Sequence, residues 1–153
     1  MENPHVAGDP SEQARSPVAE IIAIGSELLT PQRLDTNSLF LTSQLNALGV
    51  EVVAKHVVGD DRARLASAIQ AAIERSEYVF LSGGLGPTED DVTREAAAAA
   101  LGRTLEFSAV QEEILIQRFA QIRRPMADNN RRQVYLVAGA EALRQQRFDQ
   151  APH

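Results

Sequence analysis

The residues best suited to chemistry in this 153-residue chain fall in one stretch, Ser82–Thr93, which reads SGGLGPTEDDVT. Three glycines within four residues, Gly83, Gly84 and Gly86, let backbone N–H groups approach a ligand with no Cβ in the way. A turn of this kind leading into a helix offers unpaired N–H donors and the positive end of a dipole, which suits a phosphate. The stretch has neither the lysine of a GxxxxGK[ST] loop nor the GxGxxG spacing of a dinucleotide fold. The same glycines also suit a tight strand-to-helix turn whose carboxylates cap the helix. Asp90 and Asp91 tilt the balance, because two carboxylates beside a phosphate repel it unless a cation intervenes. Asp60 and Asp61, after Gly59, add two more. Four carboxylates at one rim suit Mg²⁺ or another hard divalent cation bridging to phosphate oxygens. For Asp60 and Asp61, helix capping is the competing role.

Three further groups are candidates. In Gly25-Ser26-Glu27, the serine can bind phosphate and the glutamate can accept hydrogen bonds from a base or sugar. Asp35-Thr36-Asn37 is polar, with at least one of the three expected to cap a helix. Asp128-Asn129-Asn130-Arg131-Arg132-Gln133 is a dense polar patch in which Arg131 or Arg132 could grip a phosphate bidentately or stay a solvated surface charge. His56 has no histidine partner nearby and reads as a satisfied sheet residue.

These groups need elements to position them. Val18–Ile24 is a short apolar run ending at Gly25, the pattern of a buried strand. Asp35 or Thr36 caps a helix to about Leu48, with Leu41, Leu45 and Leu48 on one face and Gly49 past its end. Val50–Val58 is β-branched and extended. A helix then runs to about Arg75 with Leu65, Ile69, Ala72 and Ile73 as its stripe. Tyr78–Leu81 is a third strand. Thr93–Leu101 is helical and includes the alanine run Ala96–Ala100. Ala109–Arg123 is another helix, with Val110, Ile114, Leu115, Phe119 and Ile122 expected inward, and Val134–Val137 suits a last strand. Alternation of this kind predicts an α/β fold: three layers, αβα, around a mainly parallel sheet covered on both faces. Ligands in such sheets bind beyond the carboxyl ends of the strands. The loops at Gly25–Asn37, Gly59–Asp61 and Ser82–Asp91 should therefore share one edge.

Composition sets the outer bounds. A 44% hydrophobic content at this length supports one domain with a real core. The absence of cysteine excludes disulfides, thiolate catalysis and cysteine-ligated metal centres. A net charge of −6 argues against general nucleic-acid binding, and no apolar run approaches the roughly 20 residues that cross a bilayer. Residues 1–17, rich in Pro, Ser, Asp and Glu, read as a disordered leader with none of the features of an export signal, so the expected location is cytoplasmic.

The segments AEIIAIGSELLTPQRLDTNSLFL, VVGDDRARLASAI, SGGLGPTEDDVTREAAAAALGR and MADNNRRQ, in this order, resemble the amino-terminal domain of CinA, the competence/damage-inducible protein. That domain belongs to the wider molybdopterin-binding superfamily of the molybdenum-cofactor biosynthesis proteins of the MoaB/Mog type. The resemblance covers residues 18–141 and implies a three-layer fold with a pocket for a phosphorylated heterocycle, of ADP-ribose or molybdopterin type. It implies ADP-ribose pyrophosphatase activity dependent on a divalent metal, Mg or Co, with potassium, and it implies a homo-oligomer. Carried over by motif position, Gly83, Gly84, Gly86 and Thr88 would hold phosphate, and Asn130 and Arg131 would line the pocket. Asp60 and Asp91 match the acidic positions tied to metal and catalysis, with Asp90 beside them as a further metal ligand. Gly25, Ser26, Glu27, Asp35 and Asn37 complete the expected ligand-binding set.

Two departures bear on function. The second domain of full-length CinA, which deamidates nicotinamide mononucleotide, is not represented, so that activity is not carried over. After Gly139-Ala140-Glu141 the chain reads ALRQQRFDQAPH where the family continues into further strands. Residues 142–153 are therefore expected to be a disordered or aberrant tail and the domain's carboxyl end to be incomplete. Beside the hydrolase stand two other expectations: a binding module without chemistry, and a degenerate fragment.

Overall fold

A computed structural model of the protein describes residues 15–143. The expected leader, up to residue 14, and the expected tail, from residue 144, lie outside the described residues.

The centre is strand β1 (Val18–Ile24), buried along its whole length. Strand β2 (Glu51–Val58) and strand β3 (Tyr78–Ser82) flank it, both parallel to it, giving the order β2-β1-β3. Helix α1 (Thr36–Ala47) connects β1 to β2, and helix α2 (Arg62–Ile73) connects β2 to β3. Because side chains alternate along a strand, β1 feeds two cores. Ile22 and Ile24 pack with Leu65, Ile69, Ala72 and Ala96 on one face, while Ala19 and Ile21 pack with Leu45 on the other. Burying each large aliphatic side chain is worth about 1.5–3 kcal/mol, so the two cores hold the layers together. The expected α/β fold with helices on both faces of a parallel sheet is the one observed.

Helix α3 (Thr93–Ala100) follows the glycine loop and supplies Ala96 to the first core. Beyond it comes a short strand that periodicity did not mark, β4 (Leu105–Phe107). It pairs antiparallel with β5 (Tyr135–Val137) as a separate two-stranded sheet. Phe107 and Tyr135 stand opposite each other in that ladder, with ring centroids 5.8 Å apart in an edge-on arrangement. Val134, expected as the first residue of that strand, instead ends a 3-10 segment over Asp128–Val134 and is buried.

Helix α4 (Ala109–Gln121) corrects one expectation. Of the five side chains expected inward, only Leu115 and Phe119 are even half-buried; Val110 is 66% and Ile122 56% exposed, and Ile114 is exposed too. The apolar stripe is present, but among the described residues nothing covers it. Leu48 and Ile73 are likewise exposed; Leu48 caps the carboxyl end of α1 and Ile73 is the last residue of α2.

Candidate functional site

Parallel strands end on the same edge, and the three expected loops meet there. The N–H of Gly25 donates to the Val58 carbonyl at 3.0 Å, carrying the ladder one residue past β1. Ser26 and Asp60 then exchange bonds: the Ser26 amide donates to Asp60 Oδ2 at 2.9 Å and the Asp60 amide to Ser26 Oγ at 3.0 Å. Asn37, in the first turn of α1, donates from Nδ2 to Ser82 Oγ at 3.4 Å, joining that helix start to the end of β3. Residues Ser26–Leu29 form a 3-10 turn, and the Glu27 carboxylate folds over Gly25, where an added Cβ would lie 2.7 Å from its oxygen.

The glycine loop is built to pack closely. At Gly83, φ is 105°, and a Cβ there would overlap the Ile24 carbonyl oxygen. At Gly84, φ is 60°, and a Cβ would overlap the Thr93 hydroxyl. Only glycine serves at both positions. The buried Thr93 closes the loop, its hydroxyl donating to the Gly83 carbonyl at 2.7 Å and its N–H to the Gly84 carbonyl at 3.2 Å. Arg94 lies over the same loop, with Nη1 donating to the Leu85 carbonyl at 2.7 Å and Nη2 to the Gly86 carbonyl at 2.8 Å.

The aspartates divide by role. Asp91 accepts from the Thr88 N–H at 2.9 Å and from the Thr88 hydroxyl. Burial pushes its carboxyl pKa up, but donation from the Thr88 hydroxyl and from the Thr88 and Gly86 N–H groups outweighs that and holds it below the usual aspartate range. Its charge is thus secured by its own loop. Asp35 caps α1 by accepting from the Ser38 N–H at 3.0 Å, and Asp61 caps α2 through the Arg64 N–H at 2.9 Å. Asp90 is exposed and has no hydrogen-bond or ion-pair partner among the described residues. Among those residues, no group of three or more His, Cys, Asp or Glu side chains is set to hold a metal ion. A cation shared between one or two carboxylates and ligand phosphates needs fewer protein ligands than that.

The late polar patch is only partly drawn to this edge. Asn130 closes its own turn, accepting from the Ala127 N–H at 3.1 Å, and Arg131 pairs with Glu112 of α4 at 3.1 Å. Arg132 is the arginine that reaches α3, pairing with Glu95 at 3.1 Å. A cavity of about 450 Å³ borders the glycine loop through Leu85, Thr93 and Arg94, with Leu81, Tyr135 and Val137 as its apolar wall. Another, of about 980 Å³, lies along α4 and holds none of the expected site residues. Arg94, one residue past the Ser82–Thr93 stretch, is the contact that sequence reasoning missed; the available signal was a guanidinium within one turn of a glycine loop.

His56 is the satisfied residue expected. Its Nε2 lies 2.8 Å from Glu20, a carboxylate 1% exposed that also accepts from Arg75 Nε (3.0 Å), Arg75 Nη2 (2.8 Å) and Ser76 Oγ (3.0 Å). These contacts, led by Arg75 and opposed by burial, draw the Glu20 pKa down to about 2. The cluster joins β1 and β2 to the segment after α2.

In open parallel α/β sheets ligands bind beyond the carboxyl ends of the strands, and here that edge carries a glycine-rich turn and polar loops. A family model described as "Probable molybdopterin binding domain" matches residues 20–150, and the chain belongs to that family. It is 60% identical over 125 residues to a CinA-like protein of Solibacter usitatus and 58% identical over 126 residues to one of Koribacter versatilis. Each alignment covers 82% of this chain, which spans about 30% of the length of these curated relatives. Among solved structures, CinA of Thermoplasma acidophilum, described as of unknown function, superposes with a TM-score of 0.70 at 29% identity, over 80% of this chain and 72% of that one. The tungsten cofactor synthesizing protein MoaB of Pyrococcus furiosus gives a TM-score of 0.52 at 21% identity, over 71% and 66% of the two chains, and shares the fold. No described helix is long and apolar enough to cross a membrane.

Proposed function

We propose that the carboxyl-edge loops bind a phosphorylated heterocycle, of molybdopterin or ADP-ribose type, and hydrolyse the pyrophosphate of an ADP-ribose-type ligand with the help of a divalent cation. The observation that carries this reading is the glycine loop: Gly83 and Gly84 admit no side chain, and Thr88 and Asp91 organise the turn between them and α3. In this reading Gly83, Gly84, Gly86 and Thr88 cradle phosphate, Ser26 supplies a further hydroxyl, and Glu27 accepts from the sugar or base. Asp60 and Asp90 would hold a Mg or Co ion carried on the ligand's phosphates; such an ion supplies charge neutralisation at the pyrophosphate, with potassium as a further requirement. A carboxylate, Asp60 or Asp91, orients and deprotonates water. The water oxygen bonds to phosphorus as the bridging P–O bond breaks, releasing AMP and ribose 5-phosphate. Backbone N–H groups and an arginine take up the developing charge. Arg131 does so only after leaving Glu112.

The engagement of Asp91 by Thr88 supports a second reading, in which the loops hold the ligand without cleaving it. One assay separates the two: ADP-ribose with Mg²⁺ or Co²⁺ should release AMP. Absence of turnover above that of a folded Asp91→Ala variant, with saturable ADP-ribose binding retained, rejects hydrolysis and leaves binding. Failure to bind ADP-ribose or molybdopterin rejects both. The same reading includes a homo-oligomer in the cytoplasm acting on a small molecule, away from membranes and, with a net charge of −6, from nucleic acid. Exposed Leu39 and Phe40 on α1 and Val53 on β2 supply apolar surface for such an assembly, which sedimentation velocity would detect.

A further inference from the structure

The reading above makes the glycine loop a phosphate cradle; what keeps the loop in shape for that task is a separate matter. Arg94 is the second residue of α3, and its guanidinium turns back to meet two successive carbonyls, those of Leu85 and Gly86. A peptide unit is planar and trans, so a carbonyl turned one way sends the N–H of the same unit the other way. The unit that carries the Leu85 carbonyl carries the Gly86 N–H. Holding this carbonyl inward therefore aims the Gly86 N–H away from Arg94. The next unit, the Gly86 carbonyl with Pro87, has no N–H to offer, and fixing it sets the path by which the chain reaches Thr88. The Gly86 N–H, the Thr88 N–H and the Thr88 hydroxyl all act on one anion, the Asp91 carboxylate. A Cβ at Gly86 would lie 2.5 Å from that carboxylate, so the group is held directly against the loop backbone. These donors converge on the protein's own carboxylate, so the order of the loop and the placement of Asp91 depend on the same backbone.

We propose that Arg94 is the positioning residue of the glycine loop, its two-pronged grip on the Leu85 and Gly86 carbonyls aiming the Gly86 and Thr88 donors at the Asp91 carboxylate and so fixing the shape of the loop that the reading above takes for a phosphate cradle. The planar fork does this; a point charge does not, because a single ammonium cannot fix the rotation of two successive peptide units. Arg94 touches neither ligand nor reacting atoms in this arrangement and acts through the backbone alone. The inference rests on the phosphate reading of the loop for its consequence, but not for the loop's order.

The experiment compares the wild type with Arg94→Met and Arg94→Lys in the full chain, following amide hydrogen exchange by NMR and ADP-ribose affinity by calorimetry. In Arg94→Met, exchange at the Gly86 and Thr88 amides should quicken at least tenfold while the amides of β1 hold their wild-type rates. ADP-ribose should bind at least tenfold more weakly, with the melting temperature within a few degrees of wild type. Arg94→Lys should recover less than half of the lost affinity on a logarithmic scale. Unchanged exchange at Gly86 and Thr88 would overturn the inference, as would a lysine variant restoring both exchange and affinity, since charge alone would then suffice. Loosened Gly86 and Thr88 amides in a protein whose wild type binds no ADP-ribose would support the positioning role and remove the phosphate reading.

Discussion

Ser26 and Asp60 hold the ends of β1 and β2 together by a reciprocal pair of hydrogen bonds, each residue donating its amide to the side chain of the other, at 2.9 and 3.0 Å. The arrangement places a carboxylate at the carboxyl edge of the sheet with one oxygen committed to structure and the other available. Removing either side chain leaves an amide that water can reach, so the loss per residue is that of an ordinary hydrogen bond, about 0.5–1.5 kcal/mol. Ser26→Ala and Asp60→Ala should each lower stability by about 1 kcal/mol, and the double variant by about the sum, because each substitution removes the acceptor of a different hydrogen bond. Asp60→Asn keeps an acceptor for the Ser26 amide but loses the charge. Urea melts should therefore place Asp60→Asn close to wild type, while AMP release from ADP-ribose should fall at least tenfold. A fall no greater than that of Ser26→Ala would show that the charge of Asp60 takes no part.

The glycines of the loop differ in what confronts an added methyl group, and that difference sets an order of severity. At Gly83 the obstacle is the Ile24 backbone carbonyl, which cannot move without breaking β1, and φ of 105° is itself adverse for an L residue. At Gly86 the obstacle is the Asp91 carboxylate, the end of a rotatable side chain. Gly83→Ala should destabilise by roughly 3 kcal/mol or prevent folding. Gly86→Ala should cost about 1 kcal/mol, comparable to losing the hydrogen bonds from Thr88 to Asp91. Combining Gly86→Ala with Asp91→Ala should then cost less than the two single changes added, a pattern that chemical denaturation of the four proteins measures directly.

The residues of the carboxyl edge were legible because a strong pattern placed them. Val18–Ile24 is apolar at every position but Glu20, Asp35 and Asp61 precede helical stripes, and the glycines follow the third strand, so the strand ends and their loops fall where the pattern puts them. What stayed hidden was settled by contacts between distant residues. Leu105–Phe107 is too short to carry a period, and its strand exists because Tyr135–Val137 comes alongside. Arg94 has the look of a solvated helix residue until the loop carbonyls are seen to turn towards it. The motif that holds Arg131 does not reveal its ion pair with Glu112 of α4, a residue far away in sequence. The stripe on α4 shows the converse: Val110, Ile114 and Ile122 mark an apolar helix face, but a pattern states what a helix can bury and not whether a neighbour is there.

Glu20 tests the electrostatics of the fold away from the site. It is a buried carboxylate satisfied by Arg75, Ser76 and His56, and its pKa is drawn from an ordinary value of 4.5 to about 2. The folded state thus holds on to the charged form more strongly than the unfolded chain does. The resulting stabilisation is fully present above about pH 4.5 and is lost as the pH falls through about 2, since across that interval the unfolded chain binds the extra proton. Glu20→Gln removes the titrating group while keeping one acceptor and the shape of the side chain. Its stability near neutral pH should lie about 1.5–3 kcal/mol below wild type, because the bonds that Arg75 and Ser76 donate to the buried carboxylate lose their charge assistance while Arg75 itself stays half-exposed to water. Its stability profile between pH 4.5 and pH 2 should in return be flatter than that of the wild type. Urea denaturation at half-unit steps across this interval gives both quantities. Parallel profiles for the two proteins would mean that Glu20 titrates alike in the folded and unfolded chains and that its contacts with Arg75 and His56 leave its charge unsupported.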